Sequence, residues 1–114
     1  MGNSKFIGLV ENVIPELPYG IGAMGYGLSA ACGFAWSKLE RKEEGRVFVL
    51  ESDGGMQCAT NWSALWFAAH HKLKNLVLVI DRNGFCAMGR TADIVDQKNL
   101  TSVLGAMGWC IVEV

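Results

Sequence analysis

Two short apolar runs dominate the hydrophobic pattern of the chain. They occupy Arg46–Glu51 and Leu76–Ile80, and both are nearly continuous stretches of branched or bulky residues. Such runs are typical of strands that are buried on both faces of a parallel sheet. A segment of helical composition, about residues 60–73, separates them. Strand, helix and strand in this order predict a βαβ unit, whose crossover is almost always right-handed.

Further elements are expected on either side of this unit. Residues 24–43 predict a helix with a small, apolar first half and a charged second half, which Gly45 ends. Residues 98–107 predict a third helix, and Trp109–Val114 predict a third buried strand. Residues 1–19 contain both prolines and are expected to form an irregular arm. The whole chain is therefore expected to be one α/β domain, a truncated three-layer parallel sheet with helices on both faces.

Composition narrows the class of protein. The 114 residues suffice for one small domain, with 51% apolar and only 18% charged residues. Four Trp and five Phe exceed what so short a chain can bury alone, so a large surface is expected to face a partner. The net charge of −1 argues against nucleic-acid binding, and no apolar run is long enough to cross a membrane. Four scattered cysteines and no secretory signal favour a cytoplasmic protein with reduced thiols.

Polar residues follow the two central strands at the point where each strand ends. Asp53 comes shortly after the first apolar run, and Asn83 follows the second run, thirty residues later. The carboxyl ends of parallel strands meet at one edge of the sheet, where open α/β sheets bind ligands. A carboxylate and an amide oxygen suit Mg²⁺, which usually bridges protein to phosphate. Gly54 and Gly55 would let backbone N–H groups approach that phosphate closely.

A glycine-rich stretch at residues 20–25 is a second candidate site. It fits the G-x-G-x-x-G pattern of dinucleotide-binding proteins. That motif requires a buried strand directly before it, which residues 16–19 do not provide. It also requires an acidic residue at the end of the next strand, for which Glu51 is a candidate, although Glu51 comes 26 residues after Gly25. The stretch therefore favours a tight turn that leads into the first helix over a nicotinamide-binding site.

The ordered set of motifs resembles the thiamine-diphosphate-binding domain of the transketolase family, from about residue 20 to the end of the chain. The stretches that carry the resemblance are Gly22–Leu28, Ser52–Gly54 followed by Asn83, Asn61–Ala64, Ala68–Leu76, Gly89–Thr91 and Ala106–Trp109. The resemblance implies a thiamine-diphosphate-binding fold. It also implies an enzyme that transfers a two-carbon ketol unit from a ketose to an aldose, with carbanion chemistry supplied by the cofactor.

The resemblance implies roles for individual residues. The implied cofactor-binding residues are Gly22, Ala23, Met24, Asp53, Gly54, Gly55, Asn83 and Phe85. Among them, the side chains of Asp53 and Asn83 and the backbone carbonyl of Phe85 would hold Mg²⁺. Gly54 would contact the diphosphate through its N–H group. Gly22, Ala23 and Met24 would line the thiazolium and aminopyrimidine rings. No catalytic residue of this chain is implied.

Departures from the family pattern leave the function open. Ser52 stands where the family has glycine, Cys58 and Ser63 stand where it often has glutamate, and Tyr26 replaces a common glutamine. The pyrimidine-binding domain, whose glutamate activates the cofactor, is expected from a partner in a homo- or hetero-oligomer, and the substrate would be a sugar or sugar phosphate. Two alternatives stay open: an enzyme of the 2-oxo acid decarboxylase or acetohydroxy acid synthase type, and a non-catalytic domain that keeps only the fold.

Overall fold

The computed structural model describes residues 23–114, which contain a two-stranded parallel sheet with helices beside it. The first elements are helix α1 (Gly27–Glu40), strand β1 (Val47–Ser52), a 3-10 turn (Gly55–Gln57), helix α2 (Ala59–His70) and strand β2 (Leu76–Asp81). They are followed by the hairpin strands β3 (Phe85–Cys86) and β4 (Gly89–Arg90) and the helices α3 (Thr91–Ile94) and α4 (Leu100–Ala106). None of the helices in residues 23–114 is long and apolar enough to span a membrane. Gly22 and the expected arm at residues 1–19 lie outside the described residues.

The central strands pair as their apolar pattern predicts. β1 and β2 are parallel neighbours, with Val47 beside Leu76 at one end and Ser52 beside Asp81 at the other. α2 connects them, which confirms the predicted strand, helix and strand. Each strand ends one residue beyond its apolar run, because Ser52 and Asp81 still pair in the ladder. This register fixes which loop residues meet at the end of the sheet.

The first helix is shorter than its sequence pattern predicts. It begins at Gly27 and ends at Glu40, whereas the pattern extends over residues 24–43. The chain closes the helix through a hydrogen bond of 2.8 Å from the Glu43 N–H to the Lys38 carbonyl, with Lys42 in the left-handed region at φ 55°. This closure is the usual way to satisfy the last helical carbonyls. The residue in the left-handed conformation is Lys42, and it precedes Gly45, the residue that was expected to end the helix.

The predicted third strand at residues 109–114 is wrong. This segment pairs with no strand in the described part of the chain, and Val112 is 80% exposed. Trp109 instead closes the end of α4, because its backbone N–H donates to the Leu104 carbonyl at 3.1 Å. Its indole Nε1 donates to the Leu65 carbonyl at 3.4 Å. Trp109 therefore joins α4 to α2 and does not begin a strand.

The prediction of helices on both faces of the sheet is also wrong for residues 23–114. α1 packs on β1 and β2, and α2 packs against α1. The opposite face of the sheet carries Phe48, Leu50 and Val79, which are 67%, 72% and 48% exposed. We call this surface the exposed apolar face. An apolar run cannot by itself distinguish a strand with two covered faces from a strand with one. The full three-layer sheet is thus not seen in the described residues.

The core lies between the covered face of the sheet and the helices. Its buried apolar residues are Leu28, Ala31, Cys32, Ala35, Met56, Ala64, Leu65, Ala68, Leu73, Leu76, Leu100, Leu104 and Met107. Small side chains from α1 and α2 make up a large part of this set, which lets the two helices approach closely. The Cys32 thiol lies within 3.6 Å of the Ala64 carbonyl, to which it donates. The strands that end at the predicted site are therefore supported by this packed core.

The first and last cysteines should differ in their reactivity toward thiol reagents. Burial raises the pKa of the Cys32 thiol to about 11, whereas Cys110 is exposed. The thiolate is the reactive form, so iodoacetamide near pH 8 should label Cys110 at least about tenfold faster than Cys32 in the native protein. In denaturant the two rates should converge, as peptide mass spectrometry would show. Equal rates in the native protein would contradict the burial of Cys32 between α1 and α2.

Candidate functional site

The register of the sheet brings two loops to the same edge. Because Ser52 lies beside Asp81, the residues after β1 and β2 leave the sheet together. The Asp53 N–H donates to the Asp81 carbonyl at 3.0 Å, which continues the ladder by one step. Asp53 and the turn that contains Asn83 therefore lie next to each other, as expected from parallel strands. Their role as ligands stays a prediction.

Asp53 is the central side chain of this edge and is only 5% exposed. Its Oδ1 accepts the Gly54 N–H at 2.8 Å, and its Oδ2 accepts the Gly84 N–H at 2.8 Å and the Thr91 hydroxyl at 3.1 Å. These donors are neutral, and no Lys or Arg of residues 23–114 forms an ion pair with Asp53. Buried charges in proteins are usually paired or coordinate metals. The environment of this carboxylate therefore favours a bound cation.

Asn83 and Phe85 lie on an exposed turn beside Asp53. The Asn83 Nδ2 donates to the Asp81 Oδ2 at 3.0 Å, and the Asn83 Oδ1 accepts the Phe85 N–H at 2.8 Å. No cluster of three or more His, Cys, Asp or Glu side chains that could hold a metal occurs in residues 23–114. The groups that could act as metal ligands are a carboxylate, an amide oxygen and backbone carbonyls. This all-oxygen set fits the chemistry of Mg²⁺.

The two glycines after Asp53 occupy positions with no room for a side chain. A Cβ on Gly54 would lie 2.8 Å from the Cys86 Cβ, and a Cβ on Gly55 would lie 2.6 Å from the Glu51 Oε2. The Gly55 N–H donates to the Ser52 hydroxyl at 3.0 Å. The Gly55 N–H is therefore already engaged by the Ser52 side chain.

The glycine-rich loop reaches this turn through the start of α2. Gly25 has φ 84°, and a Cβ there would lie 2.5 Å from the Cys58 Cβ. The Thr60 hydroxyl donates to the Gly25 carbonyl, which holds the loop against α2. The predicted ring-lining residues Ala23 and Met24 are both exposed beside this contact. Gly25, at the described end of the loop, is therefore in contact with the start of α2, which follows the turn after β1.

Glu51 joins the first turn of α1 to the turn after β1, although its place in the sequence made it a candidate only for a dinucleotide motif. Its Oε1 accepts the Leu28 N–H at 3.3 Å in the first turn of α1, where a carboxylate is favourable. Burial raises the pKa of the Glu51 carboxyl, and hydrogen bonds from the Asn61 side chain and the Leu28 N–H oppose the rise. The signal in the sequence is a charged residue at the end of an apolar run.

A segment that follows β2, from the β3–β4 hairpin to Gln97, covers Asp53 from the other side. The Thr91 N–H donates to the Gly84 carbonyl at 3.0 Å, and the Gln97 Nε2 donates to the Asp53 carbonyl at 2.9 Å. The Gln57 Nε2 donates in turn to the Thr91 carbonyl at 3.2 Å. These contacts exist only because the β3–β4 hairpin folds the chain back over the turn. No sequence pattern announces them.

The sequence is similar to thiamine-dependent proteins. The family described as "Thiamine pyrophosphate enzyme, C-terminal TPP binding domain" matches residues 9–107. One subunit of the apulose-4-phosphate transketolase of Actinobacillus succinogenes is 34% identical over 99 residues, which are 87% of this chain and 36% of that protein. Transketolase-like protein 2 of Bos taurus is 48% identical over 93 residues, which are 77% of this chain and 14% of that protein.

The fold is similar to that of a solved transketolase. The transketolase from Campylobacter jejuni superposes with a TM-score of 0.72 at 25% sequence identity, over 78% of this chain and 15% of that one. The chain thus spans about a third of the length of the Actinobacillus relative and a much smaller share of the longer proteins.

Replacement of Gly54 by alanine should distort the turn after β1, because the new Cβ would meet the Cys86 Cβ at 2.8 Å. We expect the free energy of unfolding to fall by about 1–3 kcal/mol, the usual cost of overpacking. Gly33 is the matched control, since it lies inside α1 with nothing within 4 Å of an added Cβ. Gly33→Ala should be neutral or stabilise by up to about 1 kcal/mol. Urea unfolding followed by tryptophan fluorescence would measure both, and equal effects would contradict the close packing at Gly54.

Proposed function

Because the chain belongs to the thiamine pyrophosphate enzymes, as the cofactor-binding domain of the transketolase family, we propose that it binds thiamine diphosphate with Mg²⁺ where β1 and β2 end. We further propose that it acts in the transfer of a two-carbon ketol unit from a ketose to an aldose. The observation that carries the proposal is the buried Asp53 carboxylate, which is surrounded by neutral donors and tied to the turn that bears Asn83.

The proposed magnesium ligands are the side-chain oxygens of Asp53 and Asn83 and the carbonyl of Phe85. Within residues 23–114, Asp53 Oδ1 accepts a single hydrogen bond, from the adjacent Gly54, and so retains capacity for a cation. The Asn83 Oδ1 now accepts the Phe85 N–H and would exchange this bond for the metal. A cation at this point would neutralise a carboxylate that otherwise lacks an opposite charge within residues 23–114.

The cofactor would lie along the surface that joins the turn to the glycine-rich loop. Gly54 and Gly55 would contact the diphosphate, and Gly22, Ala23 and Met24 would line the two rings. When bound, thiamine diphosphate supplies the carbanion chemistry, and the protein supplies position and electrostatics. Support comes from the exposure of Ala23 and Met24 next to the buried Gly25.

A partner would complete the site with a pyrimidine-binding domain or a second protein chain, and a sugar or sugar phosphate would be the substrate. The Actinobacillus relative is named as one subunit of a transketolase, which implies a further subunit in that protein. In this chain Met24, which belongs to the proposed ring-binding loop, and Tyr26, which follows that loop, are 54% and 51% exposed. Large apolar side chains at such a point suit a protein contact. The cytoplasmic location stays a prediction.

Replacement of a proposed magnesium ligand should strongly weaken cofactor binding. In the chain combined with a pyrimidine-binding partner, Asp53→Ala and Asn83→Ala should each weaken Mg²⁺-dependent binding of thiamine diphosphate by at least about a hundredfold, above the range for supporting residues. Isothermal titration calorimetry would measure this affinity. Asn99→Ala is the matched control, because Asn99 is exposed and its side chain forms no cap to α4. Unchanged affinity in Asn83→Ala would contradict the proposed site.

The reaction type can be tested on the same assembly. A transketolase-type enzyme should consume a ketose phosphate only when an aldose acceptor is added, and it should release no carbon dioxide from pyruvate. Product analysis by chromatography would distinguish the two donors. Turnover of pyruvate would favour the 2-oxo acid decarboxylase or acetohydroxy acid synthase type. Failure to bind the cofactor with any pyrimidine-binding partner would favour a non-catalytic domain.

A further inference from the structure

We propose that Thr91 is a positioning residue, whose hydroxyl holds the Asp53 carboxylate and the turn at residues 83–85 in one fixed arrangement. Its task would be to preorganise the oxygen ligands before the cation binds. The nature of that cation rests on the proposed function, whereas the arrangement itself is a property of the protein alone.

Three residues form a closed ring of hydrogen bonds at the sheet edge. The Thr91 hydroxyl donates to the Asp53 Oδ2 at 3.1 Å, and the Gly84 N–H donates to the same oxygen at 2.8 Å. The Thr91 N–H donates to the Gly84 carbonyl at 3.0 Å, which closes the ring. Gly84 lies between Asn83 and Phe85, the residues proposed to share the cation with Asp53. The ring therefore links all the proposed ligands.

The Thr91 hydroxyl is buried together with the carboxylate that it contacts. Thr91 is 7% exposed and Asp53 is 5% exposed, so water does not readily replace this donor. Without the hydroxyl, Asp53 Oδ2 would keep a single donor, the Gly84 N–H. The carboxylate could then rotate, and the turn would follow it through the Gly84 N–H.

The hydroxyl of Thr91 donates outside its own helix, to Asp53. Thr91 is the first residue of α3, and the N-cap, Arg90, makes no side-chain cap hydrogen bond. The Thr91 backbone is held separately, because its carbonyl accepts the Gln57 Nε2 at 3.2 Å. The start of α3 is thus anchored by main-chain contacts, and the hydroxyl is directed at Asp53. Removal of the hydroxyl alone should change the site more than it changes the helix.

The test compares Thr91→Val, which removes the hydroxyl at nearly constant shape, with Thr91→Ser, which keeps it. In the chain with its pyrimidine-binding partner and thiamine diphosphate, Thr91→Val should weaken Mg²⁺ binding by about 10–100-fold, the usual effect of a residue that supports a metal ligand. Thr91→Ser should restore most of the affinity. Thr101→Val, at a half-buried threonine of α4, is the matched control and should bind Mg²⁺ like the unmodified protein.

A second readout needs no ligand. In the chain alone, hydrogen–deuterium exchange at the Gly84 amide should be faster in Thr91→Val than in the unmodified protein and should return to normal in Thr91→Ser. Circular dichroism would check that each variant is folded. Should Thr91→Val unfold, Thr91→Ala against Thr91→Ser makes the same comparison.

The outcomes separate the two proposals. If the unmodified assembly binds no Mg²⁺ with thiamine diphosphate, the proposed function fails, and Gly84 exchange alone decides the role of Thr91. If the assembly binds Mg²⁺ and Thr91→Val binds it equally well, the role of Thr91 is overturned. Unchanged Gly84 exchange in folded Thr91→Val overturns it as well. Weaker Mg²⁺ binding in Thr91→Val with recovery in Thr91→Ser supports it.

Discussion

The hydrogen bond between the Gly84 N–H and the Asp53 Oδ2 is the interaction on which the site of this protein depends. It joins the loops after two parallel strands, and it forms because the register sets Ser52 beside Asp81. The carboxylate lies in a nearly closed environment, so its position is determined by neighbours and hardly by solvent. Packing of α1 on the sheet and of α2 on α1 keeps this edge in place. The proposed chemistry thus begins with a constraint on the backbone.

The parts of the fold that depend on local pattern could be predicted from the sequence. The apolar runs predicted both strands and their parallel pairing, and the residues after them were expected at one edge. Contacts that require a third segment could not be predicted. Thr91 reaches Asp53 because a short hairpin turns the chain back, and Trp109 ends a helix where a strand was expected. An apolar sequence also does not reveal how many faces of a strand are covered, as the exposure of Leu50 shows.

Ser52, which departs from the family pattern, and its neighbour Glu51 both contact the turn after β1. The Ser52 hydroxyl accepts the Gly55 N–H, and the Glu51 carboxylate fills the space into which a side chain at residue 55 would extend. Glu51 also contacts the first turn of α1, so a change at this position would reach the glycine-rich loop. The neighbourhood of the proposed diphosphate therefore behaves as one packed unit. Single substitutions there are expected to act on several of its parts together.

The exposed apolar face has a consequence for the tendency of the protein to associate. Phe48, Leu50 and Val79 form an exposed apolar surface. Within the described residues β1 pairs with β2 alone, so the other edge of β1 is unpaired. Open edges and bare apolar surfaces promote aggregation and capture by chaperones. Within residues 23–114, this surface would therefore favour self-association until another segment or another protein covers it.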